Sequence, residues 1–578
     1  MSSCDDREPP PLIRALLRPE AYDHPVDTVE LVETHISWVL LTGRFAFKIK
    51  KPINLGFVDF STLERRRRYC HEEIRLNRRL APDIYLKVAS ITGSIDSPRL
   101  SSNGGEPIEF AVKMIQFSRA NELGRLVERG ELTRIHMETL ACMISTFHES
   151  VDRADEDSVY GNSEQVIQPL EENFKQIRQR VSDPESLKEM EQVEKWSLEQ
   201  FQRLATLFEQ RKEEGYVREC HGDLHLANMA WIDGEPLVFD CIEFNPSLHW
   251  IDVLSEIAFL TMDLEERGCA ELAYAFLNAY LELGGDYPGL PVLDFYFSYR
   301  LMVRAKVEAI RAYQQPRDSD SRLDAEESFR TYLQLAVKHS HPGSPRLIIT
   351  CGLSGSGKSS LTQSLLGFLR AIRIRSDVER KRLLGLLAGD DGKLNTKVNI
   401  YSAESTKRTY EKLIELANTG LDSGCSIIID ATCLKAEQRA KFQALAADKG
   451  VPYSILYITA SEEVLRERLE KRESGASDAD VAVMKEQLSL FEPFCEEERP
   501  HVIPVNSDSG LDLGWLVSEI ESSGLIPPEG NHGDFAKERV NPAMIRTHVL
   551  ARSPGQPAPK NRQAIPLHLP VDISKYLS

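Results

Sequence analysis

The chain has 578 residues, of which 42% are hydrophobic and 28% charged, and these proportions of a globular protein exclude a fibrous or a disordered chain. Lys and Arg number 70 against 89 Asp and Glu, so the net charge is -19, which disfavours a protein that coats nucleic acid or an anionic membrane. At roughly 100–200 residues per domain, the length predicts two large domains or about three smaller ones.

Changes of composition along the chain predict two domains and a tail. The first domain covers 1–338, a turn-rich linker covers 339–345, and the second domain covers 346–523. Residues 524–578 are rich in Pro and Gly and poor in periodic apolar residues, so they are predicted to be a disordered tail. Because each domain has its own apolar pattern, we expect the two to fold separately.

The first domain starts with strands and continues as helices. A hairpin is predicted from Ser37–Leu41 and Phe45–Lys50, which flank the turn Thr-Gly-Arg at 42–44. An earlier strand is expected at 29–32 and a later one at 109–117. Helices are predicted over 61–80, 131–149, 163–180, 185–213, 267–283 and 291–312. A small sheet followed by a helical half is the outline of a two-lobed kinase.

The second domain alternates apolar strands with helical stretches. Strands are predicted at 346–351, 426–430 and 453–458. Continuous apolar strands that alternate with helices predict a parallel sheet covered on both faces, an α/β/α fold.

Residues 352–359 read GLSGSGKS and match the phosphate-loop pattern G-x-x-x-x-G-K-[ST] between a strand and a helix. Glycines let backbone N–H groups surround phosphate oxygens, while Lys358 supplies positive charge and Ser359 offers an oxygen to Mg²⁺. The predicted nucleotide ligands are Gly352, Ser354, Gly355, Ser356, Gly357, Lys358, Ser359 and Ser360.

Three further side chains of this domain are candidates for the chemistry. Asp377 follows the next βα unit, where a carboxylate can accept the proton of an attacking hydroxyl; the alternative is a helix cap formed by Ser376 or Asp377. Asp430 ends a strand and is predicted as a carboxylate of the magnesium site, or else as a turn residue. Arg380 lies one helical turn after Asp377 and can hold an anionic group of the substrate.

These residues resemble the P-loop small-molecule kinases over about 346–510, a group that includes gluconate kinase, chloramphenicol phosphotransferase, zeta-toxin-like kinases and the 5′-kinase domain of polynucleotide kinase. The resemblance implies that Asp377, in an Asp-x-x-Arg element with Arg380, activates the acceptor hydroxyl. It also implies that Arg468 and Arg472 bind phosphates from a lid. The alternative for the helix over 462–473 is a solvated surface with Glu–Arg pairs.

A second phosphate motif lies in the first domain. Residues 221–228 read HGDLHLAN and match the kinase catalytic loop H-x-D-x-x-x-x-N. Asp223 is then the base that orients the acceptor hydroxyl, and Asn228 is a Mg²⁺ ligand. Twelve residues further on, Asp240 ends a short strand as the second metal ligand. The alternative is that His221, Asp223 and His225 form a metal site of their own.

The sequences HGDLHLAN and FDCIEFN resemble aminoglycoside phosphotransferases and choline-kinase-like enzymes over about 30–312. This resemblance implies a protein-kinase-like, two-lobed α+β fold. It identifies Asp252 as a structural aspartate and His148 as a core or capping histidine at the end of a helix.

The upstream partners of this loop have weaker signals. Phe45-Ala46-Phe47-Lys48 looks like the kinase V-A-I-K strand, so Lys48 is predicted to bind the α/β-phosphates, with Lys50 as the alternative on the same face. Glu73 is its predicted ion-pair partner, with Glu72 as the alternative. The chain has no G-x-G-x-x-G before Lys48, and Cys-Ile follows the metal aspartate, so it is no standard protein kinase. A lobe that binds nucleotide without efficient turnover remains an alternative.

Together the motifs predict a multidomain α/β protein that resembles bacterial bifunctional aminoglycoside phosphotransferase/ATP-binding proteins. We expect an ATP-dependent phosphotransferase with two nucleotide sites that uses ATP and Mg²⁺ and phosphorylates hydroxyl groups of small molecules. The alternatives are an ATP-binding sensor protein and a kinase of nucleic-acid ends. The second alternative would use the basic residues near Asp377, which are Arg373, Arg375, Arg380, Lys381 and Arg382. The sequence identifies neither acceptor and no protein partner.

The sequence also predicts a cytoplasmic location without a membrane partner. No apolar run approaches the ~20 residues that span a bilayer. The start Met1–Asp6 is acidic and lacks the apolar core of a secretory signal. Ten cysteines without a CxxC pair predict reduced thiols.

Overall fold

The computed structural model describes residues 8–54, 58–100, 105–316, 319–341, 343–386, 402–471, 481–508 and 510–523. The predicted tail over 524–578 and the candidate lid residue Arg472 lie outside these residues. Across the described part of the chain, every helix is too short or too polar to cross a membrane.

The small lobe is a six-stranded antiparallel sheet with two helices. Its strands run in the order β1-β2-β3-β6-β4-β5. The elements are α1 (Pro11–Leu16), β1 (Glu30–Glu33), β2 (Ser37–Leu41), β3 (Phe45–Lys50), α2 (Leu63–Asn77), β4 (Tyr85–Ser94), β5 (Ser97–Leu100) and β6 (Glu109–Ile115). The predicted hairpin of β2 and β3 is present, and Thr62 caps α2 by accepting a hydrogen bond from the Arg65 N–H. The sequence prediction lacked β4 and β5; β5 is an edge strand that contains Pro98, and such strands have a weak pattern.

The large lobe is mostly helical. Its helices are α3 (Leu123–Glu128), α4 (Arg134–Ser150), α5 (Ser163–Arg178), α6 (Pro184–Glu213), α7 (Val253–Glu266), α8 (Ala270–Gly284), α9 (Leu290–Gln314) and α10 (Asp320–Ser340). Two short antiparallel pairs join β7 (Val217–Glu219) with β10 (Trp250–Asp252) and β8 (Met229–Ile232) with β9 (Glu235–Val238). The prediction lacked α7, in which every residue from 253 to 265 is buried, because a helix buried on all sides has no amphipathic period.

The second domain contains a parallel sheet of five strands in the order β12-β13-β11-β14-β15. The sequence predicted the parallel sheet but neither β15 nor the strand order. Its strands are β11 (Leu347–Cys351), β12 (Ala371–Arg375), β13 (Ser426–Asp430), β14 (Tyr453–Thr459) and β15 (Val502–Asn506). Its helices are α11 (Lys358–Leu369), α12 (Ser376–Leu383), α13 (Ala403–Asp422), α14 (Ala436–Lys449), α15 (Glu462–Glu470), α16 (Val481–Leu490) and α17 (Leu513–Ser522). The central strands β11 and β13 are almost completely buried, which explains their continuous apolar sequences.

The two domains share one hydrophobic core, in which α8 and α9 of the first domain pack against α11, β12 and α13 of the second. Asn278 of α8 covers the free edge of β12: its Nδ2 donates to the Ala371 carbonyl at 3.0 Å, and its Oδ1 accepts from the Arg373 N–H at 2.6 Å. One amide side chain thus replaces a neighbouring strand. The predicted linker over 339–345 begins inside α10, which extends to Ser340. The structure joins the domains across α8 rather than through this segment alone.

Candidate active sites

The loop over 221–228 leaves β7 and ends at β8, and two buried side chains hold its backbone. Glu256 of α7 accepts hydrogen bonds from the N–H groups of His221 at 3.1 Å and Gly222 at 2.5 Å. Arg300 of α9 donates to the Gly222 carbonyl at 3.2 Å. Both side chains are buried, so the loop rests on a rigid polar support from the helical lobe.

Asp223 projects from this loop as an ionised carboxylate that remains one-third exposed. Its Oδ2 accepts a hydrogen bond from Asn228 Nδ2 at 2.9 Å and lies 3.3 Å from His225 Nε2. Burial opposes the charge, but His225 outweighs burial and lowers the pKa of Asp223. Such a carboxylate orients a hydroxyl well. It is a weak base on its own, which suits phosphoryl transfer, where positioning and electrostatics carry most of the catalysis.

His221 is a structural member of the loop. Its Nε2 contacts the Phe239 carbonyl at 2.9 Å, and its Nδ1 accepts from the Asp223 N–H at 3.3 Å. Burial lowers the pKa of His221, so the ring is neutral and both nitrogens are engaged. This arrangement disfavours the alternative metal site of His221, Asp223 and His225.

Another buried cluster lies behind the loop. Among the described residues, His148, Cys220 and Glu256 are the group of His, Cys and acidic side chains close enough to hold a metal ion. Both nitrogens of His148 are occupied, one by Tyr280 Oη at 2.8 Å and the other by Glu256 at 2.9 Å. The cluster therefore orients Glu256 toward the loop, and His148 is the core residue that the sequence predicted.

Two lysines of β3 share one glutamate of α2. Lys48 Nζ lies 3.0 Å from Glu73 Oε1 and also contacts Asp240. Lys50 Nζ lies 2.7 Å from Glu73 Oε2 and also contacts Glu243. Of the two alternatives left by the sequence, Lys48 is the lysine that reaches the metal-binding candidate, while Lys50 is fully buried.

The predicted partner Glu73 lies within this cluster, whereas Glu72 faces outward and pairs with Arg75. Burial works against the charge of Lys48, but Asp240 and Glu73 outweigh it and raise the pKa of Lys48 well above its ordinary value. Burial raises the pKa of Glu243. The cluster holds three carboxylates against two ammonium groups, and this excess of carboxylates favours the binding of a cation.

Asp240 is held in a left-handed backbone conformation, with φ of 65°. Its N–H donates to Tyr85 Oη at 3.1 Å, and the next N–H, of Cys241, donates to Asn77 Oδ1 at 2.9 Å. A non-glycine residue with positive φ costs free energy that the surrounding contacts must repay, and such residues cluster at functional sites. Because Asn228 turns its Nδ2 to Asp223, its Oδ1 is the atom left to bind a cation. Asp240 and Asn228 thus offer the oxygen ligands that Mg²⁺ prefers.

The phosphate loop connects β11 to α11. Gly357, at φ of 90°, directly precedes α11, and a side chain at Gly352 would collide with the Ile458 carbonyl. Lys358 Nζ donates to the Leu353 carbonyl at 2.7 Å. Burial lowers the pKa of Lys358, and the charges of Asp430 and Asp377 oppose that effect. Ser356 Oγ is buried in the loop without a hydrogen bond, as expected of a cradle that receives an oxygen-rich ligand.

The carboxylate of Asp430 lies at the carboxyl end of β13. It is buried, and its Oδ2 accepts no hydrogen bond from any of the described residues. Arg375 Nε is 3.8 Å from that oxygen. An orphaned buried carboxylate oxygen beside the start of α11 is a suitable partner for a magnesium ion or its water, so Asp430 and Ser359 fit the metal that the phosphate loop implies.

Asp377 lies in the first turn of α12 and is half-buried. Its charge offsets part of the lowering of the Lys358 pKa and raises the pKa of Arg375, so it lies near both groups. The start of α12 has no side-chain capping hydrogen bond, which disfavours the alternative in which Ser376 or Asp377 is only a cap. Arg380 is buried one turn further along the same helix.

Arg468 of α15 lies beside the phosphate loop. Its guanidinium donates to the Ser507 carbonyl at 2.8 Å and to Ser507 Oγ at 2.9 Å, with the Gly355 carbonyl 3.4 Å away. Arg466 on the same helix pairs with Glu462 in solvent.

Sequence reasoning missed several side chains that support these sites. They are Asn77, Tyr85, Glu243, Glu256 and Glu282. Glu256 had a usable signal, since it is an acidic residue within an apolar run one turn after Asp252. Asp252 itself caps α7 and pairs with Arg211 at 2.6 Å.

Comparison with known proteins agrees with this two-domain architecture. A family model named "Phosphotransferase enzyme family" matches residues 147–296, and one named "AAA domain" matches residues 347–494. The uncharacterized protein Rv2004c of Mycobacterium tuberculosis is 31% identical over 465 residues, which cover 80% of this chain and 90% of that protein. The chain belongs to its family. The Mycobacterium bovis protein Mb2027c matches to the same extent.

Two solved kinase structures are similar to parts of this chain. Amicoumacin kinase hAmiN in complex with AMP-PNP, Ca²⁺ and Ami is 16% identical and covers 56% of this chain and 92% of its own, with a TM-score of 0.36. A gluconokinase from Sinorhizobium meliloti is 21% identical and covers 31% of this chain and 90% of its own, with a TM-score of 0.23.

The expected fusion of a kinase-like phosphotransferase domain with a P-loop domain is confirmed by the matched families. The protein is an ATP-dependent phosphotransferase. Kinases of these types use ATP, typically with Mg²⁺.

Proposed function

We propose that the protein has two separate sites for ATP and Mg²⁺, each of which transfers the γ-phosphoryl group to a hydroxyl of a small molecule. The observation that carries this proposal is that each domain contains both a candidate base and a candidate phosphate-binding lysine. Asp223 and Lys48 serve the first domain, and Asp377 and Lys358 serve the second.

In the first domain, Glu73 holds Lys48 at the position where it can leave Asp240 and bind phosphate oxygens. Asp240 and Asn228 would then hold the magnesium ion. That ion, when bound, would neutralise the charge that develops on the transferred group. Asp223 orients the acceptor hydroxyl and receives its proton, and Asn228 keeps the carboxylate of Asp223 in place.

In the second domain, the buried Lys358 exchanges the Leu353 carbonyl for phosphate oxygens. Ser359 and Asp430 would hold the magnesium ion, and Asp377 accepts the proton of the second acceptor. Arg468, already fixed beside the loop, adds positive charge near the phosphates.

Small molecules are favoured over nucleic-acid ends as the acceptors. The basic cluster near Asp377 is largely paired within the protein: Glu282 binds Arg373 at 2.7 Å and Arg375 at 3.3 Å, and Glu379 binds Arg382. Arginines that are neutralised internally contribute little to the binding of a phosphate backbone. The presence of both Asp223 and Asp377 argues against a sensor, which needs to bind nucleotide but requires no base.

The proposal is tested by following ATP consumption with ³¹P NMR over a panel of hydroxyl-bearing metabolites. The wild type is compared with Asp223→Asn, Asp377→Asn and the double variant. We expect each single variant to lose a different set of acceptors. Acceptor phosphorylation that survives in the double variant would overturn the proposal.

A further inference from the structure

The first domain places one carboxylate, that of Glu282, against the edge strand of the second domain. Glu282 lies near the end of α8, and its side chain is 12% exposed. Its Oε1 accepts hydrogen bonds from Arg373 Nε at 3.0 Å and Nη2 at 2.7 Å, while its Oε2 lies 3.3 Å from Arg375 Nη1. Each carboxylate oxygen therefore holds one arginine of β12.

The two arginines extend to opposite halves of the candidate magnesium site. Arg373 Nη1 donates to the Ser359 carbonyl at 3.2 Å, in the first turn of α11. Arg375 Nε is 3.8 Å from Asp430 Oδ2. Ser359 and Asp430 are the two residues proposed above to hold the metal. Glu282 of the first domain therefore binds both arginines that lie beside them.

Glu282 is itself fixed to β12 by neighbouring contacts. Asn278 lies one helical turn earlier on α8 and binds the backbone of β12 on both sides of Ile372. The backbone carbonyl of Glu282 also accepts a hydrogen bond from Arg382 Nη2 at 2.5 Å. The carboxylate thus has little freedom to move relative to the second domain.

The negative charge of Glu282 affects the position of the Arg375 guanidinium. Three anions attract Arg375: Glu282, Asp430 and Asp377. It pairs closely with Glu282 while remaining beyond hydrogen-bond distance from Asp430. Without the negative charge of Glu282, the guanidinium would move onto Asp430 Oδ2, which accepts no other hydrogen bond. It would then occupy the oxygen that a magnesium ion needs.

We propose that Glu282 is a positioning residue for the magnesium site of the P-loop domain. It holds Arg373 against the first turn of α11 and keeps Arg375 away from Asp430, so that metal binding in the second domain depends on the first. This inference rests on the proposed nucleotide site at Lys358, Ser359 and Asp430.

The test measures binding of a fluorescent ADP analogue to the full-length protein as Mg²⁺ is titrated. We expect Glu282→Gln to raise the Mg²⁺ concentration for half-maximal binding by about tenfold, the usual cost of losing a residue that supports a metal ligand. Adding Arg375→Gln to Glu282→Gln should restore the wild-type midpoint, because the competing cation is gone. A purely structural role for Glu282 predicts no such rescue.

The matched control is Arg370→Gln, which removes an ion pair with Glu265 across the same interface, at the opposite end of β12. It should leave the Mg²⁺ midpoint unchanged. Should Glu282→Gln fail to fold, Arg375→Gln alone is decisive: it should leave the midpoint at or below the wild-type value, because the competing cation is gone, and a higher midpoint would overturn the inference.

Lys358→Ala separates the two proposals. If it removes one binding component while Glu282→Gln leaves the midpoint of that component unchanged, the positioning role is wrong and the nucleotide site stands. If Lys358→Ala leaves nucleotide binding unchanged, both the proposed nucleotide site and the inference that rests on it are wrong.

Discussion

Glu73 is bound by Lys50 at 2.7 Å, with neither side chain exposed to solvent. The other oxygen of the same carboxylate binds Lys48, so the candidate phosphate ligand is positioned by a glutamate that a second lysine keeps in place. Two ion pairs of Glu73 therefore join helix α2 to strand β3.

The two lysines should differ in what they support. Lys50→Met leaves Glu73 and Glu243 buried without their shared cation, so we expect it to lower the free energy of unfolding by about 3–5 kcal/mol. Lys48→Met should instead abolish nucleotide binding by the first domain. Chemical denaturation and nucleotide titration measure the two effects. Lys51→Met, which breaks a pair with Glu33 at the surface, is the control and should cost less than about 1 kcal/mol.

Asp223 and Asp240 should be separable by their effects on ATP. Asp223→Asn is expected to reduce phosphoryl transfer by about 10²–10⁴-fold with ATP affinity nearly unchanged, because this carboxylate serves the acceptor. Asp240→Asn should weaken nucleotide binding in the presence of Mg²⁺ and have little effect in EDTA. Calorimetric titration under both conditions measures this, and equal losses of ATP affinity in the two variants would contradict the assigned roles.

Asp377→Asn should retain ATP binding in the second domain and lose transfer by ~10²–10⁴-fold. The reason is that Asp377 faces the crevice without capping α12. Single-turnover phosphorylation of an acceptor found in the metabolite screen measures the loss. Glu379→Gln, on the same helix, is the control for charge removal and should keep transfer within a few-fold.

Because of Glu256, the free energy of unfolding should fall as the pH is lowered. Burial opposes its charge, but hydrogen bonds from the His148 side chain and the His221 N–H help to lower its pKa from 4.5 to about 2. A carboxyl whose folded pKa is depressed stabilises the fold above the unfolded pKa and loses that contribution as pH falls through the folded one. We therefore expect the wild type to lose stability between about pH 4.5 and pH 2 more steeply than Glu256→Gln. Denaturation at a series of pH values measures the slopes, and identical slopes would contradict the assignment.

Asn278→Ala should destabilise the joint between the domains. It removes the partners of one N–H and one C=O of β12 in a buried setting, which costs about 1–3 kcal/mol for each group left unsatisfied. Urea denaturation measures the change. Asn418→Ala, which loses an exposed hydrogen bond to Asp422 on the outer side of α13, should be nearly neutral. A similar stability for both variants would show that the edge of β12 needs no cover.

Whether the domains fold apart stays a prediction from the sequence, and the shared core defines how to test it. A fragment that starts near Ser344 exposes the apolar faces of α11 and α13 that α8 and α9 cover in the full chain. Its solubility and nucleotide affinity, with and without the fragment that ends near residue 338, measure how much the second domain needs the first.

The sequence alone determined both phosphate motifs and the class of each fold. The reason is local: the loops over 221–228 and 352–359 act through residues that are neighbours in the chain, and the strand or helix beside each loop follows from apolar periodicity. Lys48 was predicted from the likeness of residues 45–48 to the kinase V-A-I-K strand, with Lys50 left as the alternative by strand alternation, and Glu73 was predicted as its partner on the following helix.

Only the tertiary structure decided which side chains hold these motifs in place. Glu256 accepts a hydrogen bond from Gly222, which is 34 residues away in the sequence. Glu282 accepts one from Arg375, which is 93 residues away. Such partners have no fixed spacing, because helices and strands that are distant in sequence meet wherever burying their apolar faces lowers the free energy most. A buried acid in α7 or α8 carries no local mark of what it will contact. The packing of the helices determines which residue it contacts. Because a buried charge without a partner costs free energy, that contact stabilises the fold.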